Sequence, residues 1–218
     1  MTTYDATNRR SRPGRVDFTL MYAAHDAFQR DLQRLTVALE SGRANEPATR
    51  AGWATFHNQL HVHHTVEDVA LWPPLRRKLE RADETDVLDA MEAEHARIDP
   101  LLAQIDASFA ASDGWALAEA AGELSSALGN HMRHEEEAAL PLVDRYLGPE
   151  GWDDFRAAIR KRQGLKGGAE FIPWILDSAS ADTRKRVLGT LPPPARLLYR
   201  AVWRRGYART PRWSAARA

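Results

Sequence analysis

The chain has 218 residues, with 30 lysines and arginines balanced by 30 aspartates and glutamates, eight histidines and no cysteine. The absence of cysteine excludes disulfides, thiolate zinc sites and cysteine nucleophiles, so any metal must be held by imidazole and carboxylate, which suits iron, manganese or zinc. Hydrophobic residues at 44% and charged residues at 28% are ordinary for a globular soluble protein, and no apolar run has the length that spans a bilayer. The opening MTTYDATNRRSRPGR is basic but has no apolar h-region, so residues 1–15 read as a disordered N-terminal arm and the protein as cytoplasmic.

Four long segments then show the three-and-four spacing of amphipathic helices. The first spans about Phe18 to Ser41, with Leu20, Phe28, Leu32, Leu35 and Leu39 on one stripe and Gly42 as its stop. The second runs from about Pro47, a good first-turn residue, to Arg81, and the Pro73–Pro74 pair should kink or break it. The third covers about Glu84 to Ala111, with a kink expected at Pro100. The fourth starts after Asp113, an apt N-cap, and continues past Pro141 to Leu147 and Gly148–Pro149. No stretch alternates as a half-buried strand does. The expected fold is all-α: an up-down-up-down four-helix bundle over residues 16–148.

Residues 149–218 read as a basic helical C-terminal extension packed on the bundle. Trp152, Phe155 and Ile159 mark a fifth helix, GLKGG breaks it, and EFIPWILDSA and TRKRVLGTL are short helical pieces. A basic, aromatic helix ends the chain. Its Leu197, Leu198, Val202 and Trp203 either pack inward or form a surface for acidic lipid or a partner. Residues 151–218 hold 15 basic and 5 acidic groups, leaving 15 and 25 in the first 150, a split that suits a basic tail docked on an acidic body. The neutral whole gives no reason to expect nucleic acid.

The histidines carry the chemistry. All eight lie between His25 and His134. The second helix contains His63-x3-Glu67 and the fourth His131-x3-Glu135, each followed six residues later by a proline, Pro73 and Pro141. A lone histidine precedes each motif by 38 and 36 residues, His25 and His95 respectively. The repeat looks like a duplicated helical hairpin. Residues four apart share a helix face, so each His-Glu pair can reach one point in the bundle. Both interrupt apolar stripes: Phe56, Leu60 and Leu71 on one helix, Leu124, Leu128 and Leu142 on the other. A buried carboxylate is normally paired or metal-bound. Four imidazoles and two carboxylates suit two divalent ions with open positions for a small molecule, a common setting for oxygen chemistry at non-haem iron. A single helical H-x3-E is usually a surface pair; the matched duplication is what points to metal.

Other residues leave choices open. His57, His61 and His64 fall on a neighbouring face and read mainly as solvated or supporting. His134, Asp99 and Glu136 are candidate extra ligands. Tyr22, one turn before His25, either lines the site or packs in the core.

This pattern resembles the hemerythrin-like, HHE cation-binding domain over about residues 17–147, and HDAFQRDLQRL and HHTVEDVALWP are similar to segments of bacterial, especially actinobacterial, members. The resemblance implies a non-haem diiron centre of the oxo- or hydroxo-bridged kind, with His25, His63, His95 and His131 as iron ligands and Glu67 and Glu135 as bridging carboxylates. Oxygen-carrying members have H-x3-H on the third helix and H-x4-D on the fourth; here Asp99 and Glu136 fill the second places, which speaks against reversible oxygen carriage. The implied function is binding of, or reaction with, O2, peroxide or nitric oxide in oxidative-stress defence or sensing. Peroxide decomposition and diiron-oxidase turnover are the enzymatic versions. The alternative is a metal- or oxygen-sensing module that acts through its C-terminal extension, and a structural zinc or manganese site is a third reading. A homodimer is compatible with all of these.

Overall fold

The computed structural model describes residues 14–213, so the arm expected over 1–15 lies outside the described residues except at its end. There Arg15 is tied down: its N–H donates to Asp144 Oδ1 at 2.6 Å and its guanidinium to the Asp144 carbonyl at 2.6 Å.

Helix α1, Thr19–Glu40, buries Ala24, Phe28, Leu32 and Leu35 along the expected stripe, and Gly42 ends it with a positive φ of 68°. Helix α2, Pro47–Ala70, starts at its proline. At Leu71 the chain leaves it, and Pro73 and Pro74 sit in the first turn of a new short helix, α3 (Trp72–Arg76). A proline is tolerated there because a first-turn N–H has no intrahelical acceptor. Helix α4, Ala82–Ala111, runs as one element through Pro100. Helix α5, Gly114–His134, begins where the Asp113 carboxylate accepts from the N–H groups of Trp115 and Ala116 at 3.1 and 3.0 Å.

Beyond His134 the fourth segment changes pitch. A π-helical turn over Glu135–Ala139 is followed by a short α6 (Leu140–Leu142) and a second π turn, Val143–Leu147. Pro141 has no N–H to offer Glu137 in the α pattern, and the wider turn accommodates its ring. The four segments pack in a ring, α1 on α2, α2 on α4, α4 on α5 and α5 on α1. The described residues contain no strand. No helix among them is long and apolar enough to cross a membrane.

The core has two layers. Phe28, Leu35, Phe56, Leu60, Ile98, Leu124 and Leu128 belong to one, and Leu71, Trp72, Leu88, Met91, Leu140 and Val143 to the other. On each helix the histidines fall where one layer gives way to the next.

The extension starts with α7, Gly148–Ile175, which is interrupted at Gly164, where φ is 63° and ψ −175°. Gly164 is therefore the break within GLKGG. Helices α8 (Ala181–Thr190), α9 (Pro193–Leu198) and α10 (Arg204–Ala208) follow, with a π turn over Tyr199–Trp203. Its attachment is apolar first: Trp152 and Phe155 enter one core layer, Ile172, Trp174 and Ile175 the other. The ion pair between Arg34 of α1 and Asp177, 2.6 Å, joins a basic bundle residue to an acidic extension residue, the reverse of the docking sense drawn from net charge. The inward-packing reading of the last helix holds only for Trp203, which is partly buried; Leu197, Leu198 and Val202 are exposed.

Trp213 closes the described chain. Its N–H donates to the Ala48 carbonyl at 2.7 Å and its ring lies on Gly52, where a Cβ would stand 2.3 Å from two ring carbons. In an open helix Gly→Ala gains about 1 kcal/mol. Here Gly52→Ala has the opposite sign: displacing the indole costs about 1–3 kcal/mol, a fall of roughly 2–4 °C in melting temperature per kcal/mol. Thermal unfolding of the variant checks the sign.

Candidate metal centre

Each of the four bundle segments delivers histidine to one level. His25 comes from α1, His63 and His64 from α2, His95 from α4 and His131 from α5; Glu67 on α2 and Glu135 at the first π turn complete the set. They form two groups whose donor atoms lie within 4.8 Å of one another: His25, His63 and Glu135 in one, and His64, Glu67, His95 and His131 in the other.

The rings meet edge to edge. His25 Nε2 is 3.3 Å from His63 Nε2, and His95 Nε2 is 3.1 Å from His131 Nε2. Three of these rings are fixed from behind by a carboxylate at Nδ1: His25 by Glu136 at 2.7 Å, His95 by Asp68 at 2.8 Å and His131 by Glu94 at 2.9 Å. An Nδ1–H that donates to a carboxylate leaves the lone pair on Nε2, directed at the cluster. Glu67 spans the groups, with Oε1 3.1 Å from His63 Nε2 and Oε2 3.6 Å from His95 Nε2. Glu135 Oε2 lies 3.1 Å from His25 Nε2.

These groups are in a dry place. Glu67, Glu135 and His25 are fully buried. Neither carboxylate receives an aligned hydrogen bond at either oxygen, and neither nitrogen of His64 has a partner. Buried polar atoms are seldom left so. Burial and the facing Glu135 push the Glu67 carboxyl well above its usual range. Burial pushes Glu135 the same way, but His25, His63 and His131 around it hold it below. Burial lowers His63 to about 3, helped by the neighbouring imidazoles, and lowers His64 and His131 as well. Burial also opposes protonation of His25, yet Glu135 and Glu136 outweigh it and raise that imidazole to about 9. The unprotonated imidazoles of His63, His64 and His131 beside ungratified carboxylates form the donor set a divalent transition-metal ion takes, and His25 would join it by giving up its proton on metal binding.

All six residues of the doubled motif thus stand together. Of the residues left open, Glu135 stands in the cluster while Glu136 lies behind it; the π turn lets both consecutive glutamates face inward. Asp99 is exposed and takes no part. His134 is half-exposed and donates to Glu94 at 2.9 Å, away from the donor groups. Tyr22 packs beside Phe18, partly buried. His57 pairs with Asp106 at 3.2 Å and His61 is exposed.

Of the two readings left open for His64, the solvated one does not hold. His64 does not lie on the solvated face with His57 and His61: it is buried, stacked on His95 with ring centroids 3.9 Å apart and planes at 12°. A signal existed. Leu60, His64, Glu67 and Leu71 follow a four-three-four spacing of their own, and an inward stripe wider than about 100° admits both His63 and His64. The supporting carboxylates Asp68 and Glu94 left no such mark.

Among protein families, the model of the hemerythrin HHE cation-binding domain matches residues 16–143. The chain belongs to that family. No curated protein and no solved structure matches it. The hemerythrin match stops within the last π-helical part of the bundle, so the extension helices α7 to α10 stand outside it.

Proposed function

We propose that this hemerythrin-family protein is a non-haem diiron protein that binds or reacts with O2, peroxide or nitric oxide, in defence against oxidative or nitrosative stress or in sensing it. The observation that carries the reading is Glu67, a buried carboxylate with one oxygen toward each of two imidazole groups. His64, His95 and His131 would hold one iron and His25, His63 and Glu135 the other, with Glu67 shared. When bound, such a pair supplies redox steps and open coordination positions for a small ligand.

The protein's own part is to position and to exclude. The Nδ1 carboxylates Glu136, Asp68 and Glu94 hold three rings in one tautomer and orientation, a support whose loss typically costs about 10–100-fold in metal affinity. The two apolar layers keep bulk water from the donors. The small ligand would enter on the side of His25 and His63, because His63 is the most accessible side chain of the cluster. Residues 149–218 would serve as an accessory helical module on the 16–148 bundle.

Metal analysis of protein purified without added metal, with its optical spectrum before and after air exposure, tests this. About two irons per chain, with a diferric spectrum developing in air, is expected; His131→Ala should lose both metal and any peroxide turnover. Failure of the parent to accept iron on reconstitution would overturn the redox reading.

A further inference from the structure

Between the bundle and the extension lies a cavity of about 490 Å³, within the roughly 300–1,000 Å³ of small-molecule sites. Leu20, Val62 and His63 line it from the bundle, and Phe155, Ile159 and Phe171 from α7. It thus ends on a member of the metal cluster. His63 is also that cluster's most accessible side chain, a tenth exposed where the other six are at 4% or less. Its Nδ1, unlike those of His25, His95 and His131, has no carboxylate partner among the described residues.

The wall is strongly apolar, but the charges on it are all of one sign. Arg156, Arg160 and Lys161 line the cavity and no acidic residue does. Arg156 is engaged with Asp153 at 3.1 Å, whereas Arg160 and Lys161 are exposed and make no ion pair among the described residues. Two unpaired cations at an apolar cavity select an occupant that is apolar over its length and anionic at one end. Gly168 is also on the lining, and a Cβ there would meet nothing within 4 Å. Leu165, also on the lining, is 90% exposed, an aliphatic group standing in water at the opening.

We propose that this cavity binds an amphipathic organic anion, an aliphatic or aromatic carboxylate whose apolar body reaches toward His63 while its carboxylate meets Arg160 and Lys161. The extension thereby gives the bundle a site for an organic ligand. The consequence at His63 rests on the diiron reading; binding in the cavity does not.

Titration of the full-length protein, as purified and after iron reconstitution, with sub-micellar dodecanoate tests it, read by calorimetry and by the fluorescence of Trp152 and Trp203, which line the cavity. Saturable binding is expected. Gly168→Phe, which fills the open space, should abolish it. Arg160→Glu/Lys161→Glu, at exposed positions that leave the core alone, should weaken it about tenfold while dodecanol binding is unchanged. Absence of saturable binding, or binding that ignores both variants, overturns the proposal, as does binding only to anionic phospholipid vesicles, which would make the face a membrane surface. A protein that takes up iron but not dodecanoate refutes the cavity and spares the centre; one that binds dodecanoate but rejects iron does the reverse.

Discussion

Glu67→Leu is expected to lose the metal and to gain stability without it. Glu67 is fully buried, its oxygens take no aligned hydrogen bond, and its carboxyl is pushed up by burial and by Glu135. In metal-free protein it is a polar group without compensation, worth about 1–3 kcal/mol against folding. Leucine has similar volume and would sit between Leu60 on α2 and Leu71 just past its end, both fully buried. The metal-free variant should therefore melt roughly 2–12 °C above the metal-free parent, at about 2–4 °C per kcal/mol for a chain of this size. Its iron content should fall below half of the parent's, since Glu67 turns one oxygen toward each group. Such a trade is usual where a site is built from groups the fold alone would not choose. A lower melting temperature in the metal-free variant would mean that Glu67 has a stabilising partner, and would remove the main argument for an ion there.

The second large effect is expected far from the histidines. Asp31 on α1 is fully buried and accepts from Trp174 Nε1 at 2.8 Å, Arg30 Nε at 2.9 Å and Arg34 Nη1 at 3.3 Å. Arg30 in turn donates to the carbonyls of Trp174 and Asp177 at 3.0 and 2.8 Å. One carboxylate thus organises the joint between α1 and the end of α7. Asp31→Ala leaves two guanidinium groups and an indole N–H short of an acceptor. Removing one partner of a buried ion pair costs about 3–5 kcal/mol; the partial exposure of both arginines puts this case near about 3 kcal/mol. The melting temperature should drop by roughly 6–12 °C. Because the loss is at the joint, limited proteolysis should cut the extension before the bundle, with iron content kept. Unchanged melting and cleavage would show that the apolar contacts of Trp174 suffice.

The bundle was legible in the sequence because helix signals are local. The stripe through Phe28, Leu32 and Leu35, the Asp113 cap and the breaks at Gly42 and Pro73–Pro74 depend on neighbours within a few residues, and each stands where expected. The doubled His-x3-Glu was legible for the same reason, since four residues are one helical turn. Tertiary packing decided the rest. Whether His64 faces solvent or His95 depends on how much of α2 its neighbours cover. That Asp68 and Glu94 stand behind His95 and His131 depends on residues 27 and 37 positions apart meeting across helices. Glu135 and Glu136 could not be told apart because the π turn that turns both inward arises from accommodating Pro141, and a regular 100° step would have placed only one of them there. The extension's place followed least of all from its composition. Net charge is a sum over the surface, whereas its seat on the bundle is set by Trp152, Phe155 and Trp174 entering the core and by a single buried aspartate that accepts from three donors at once.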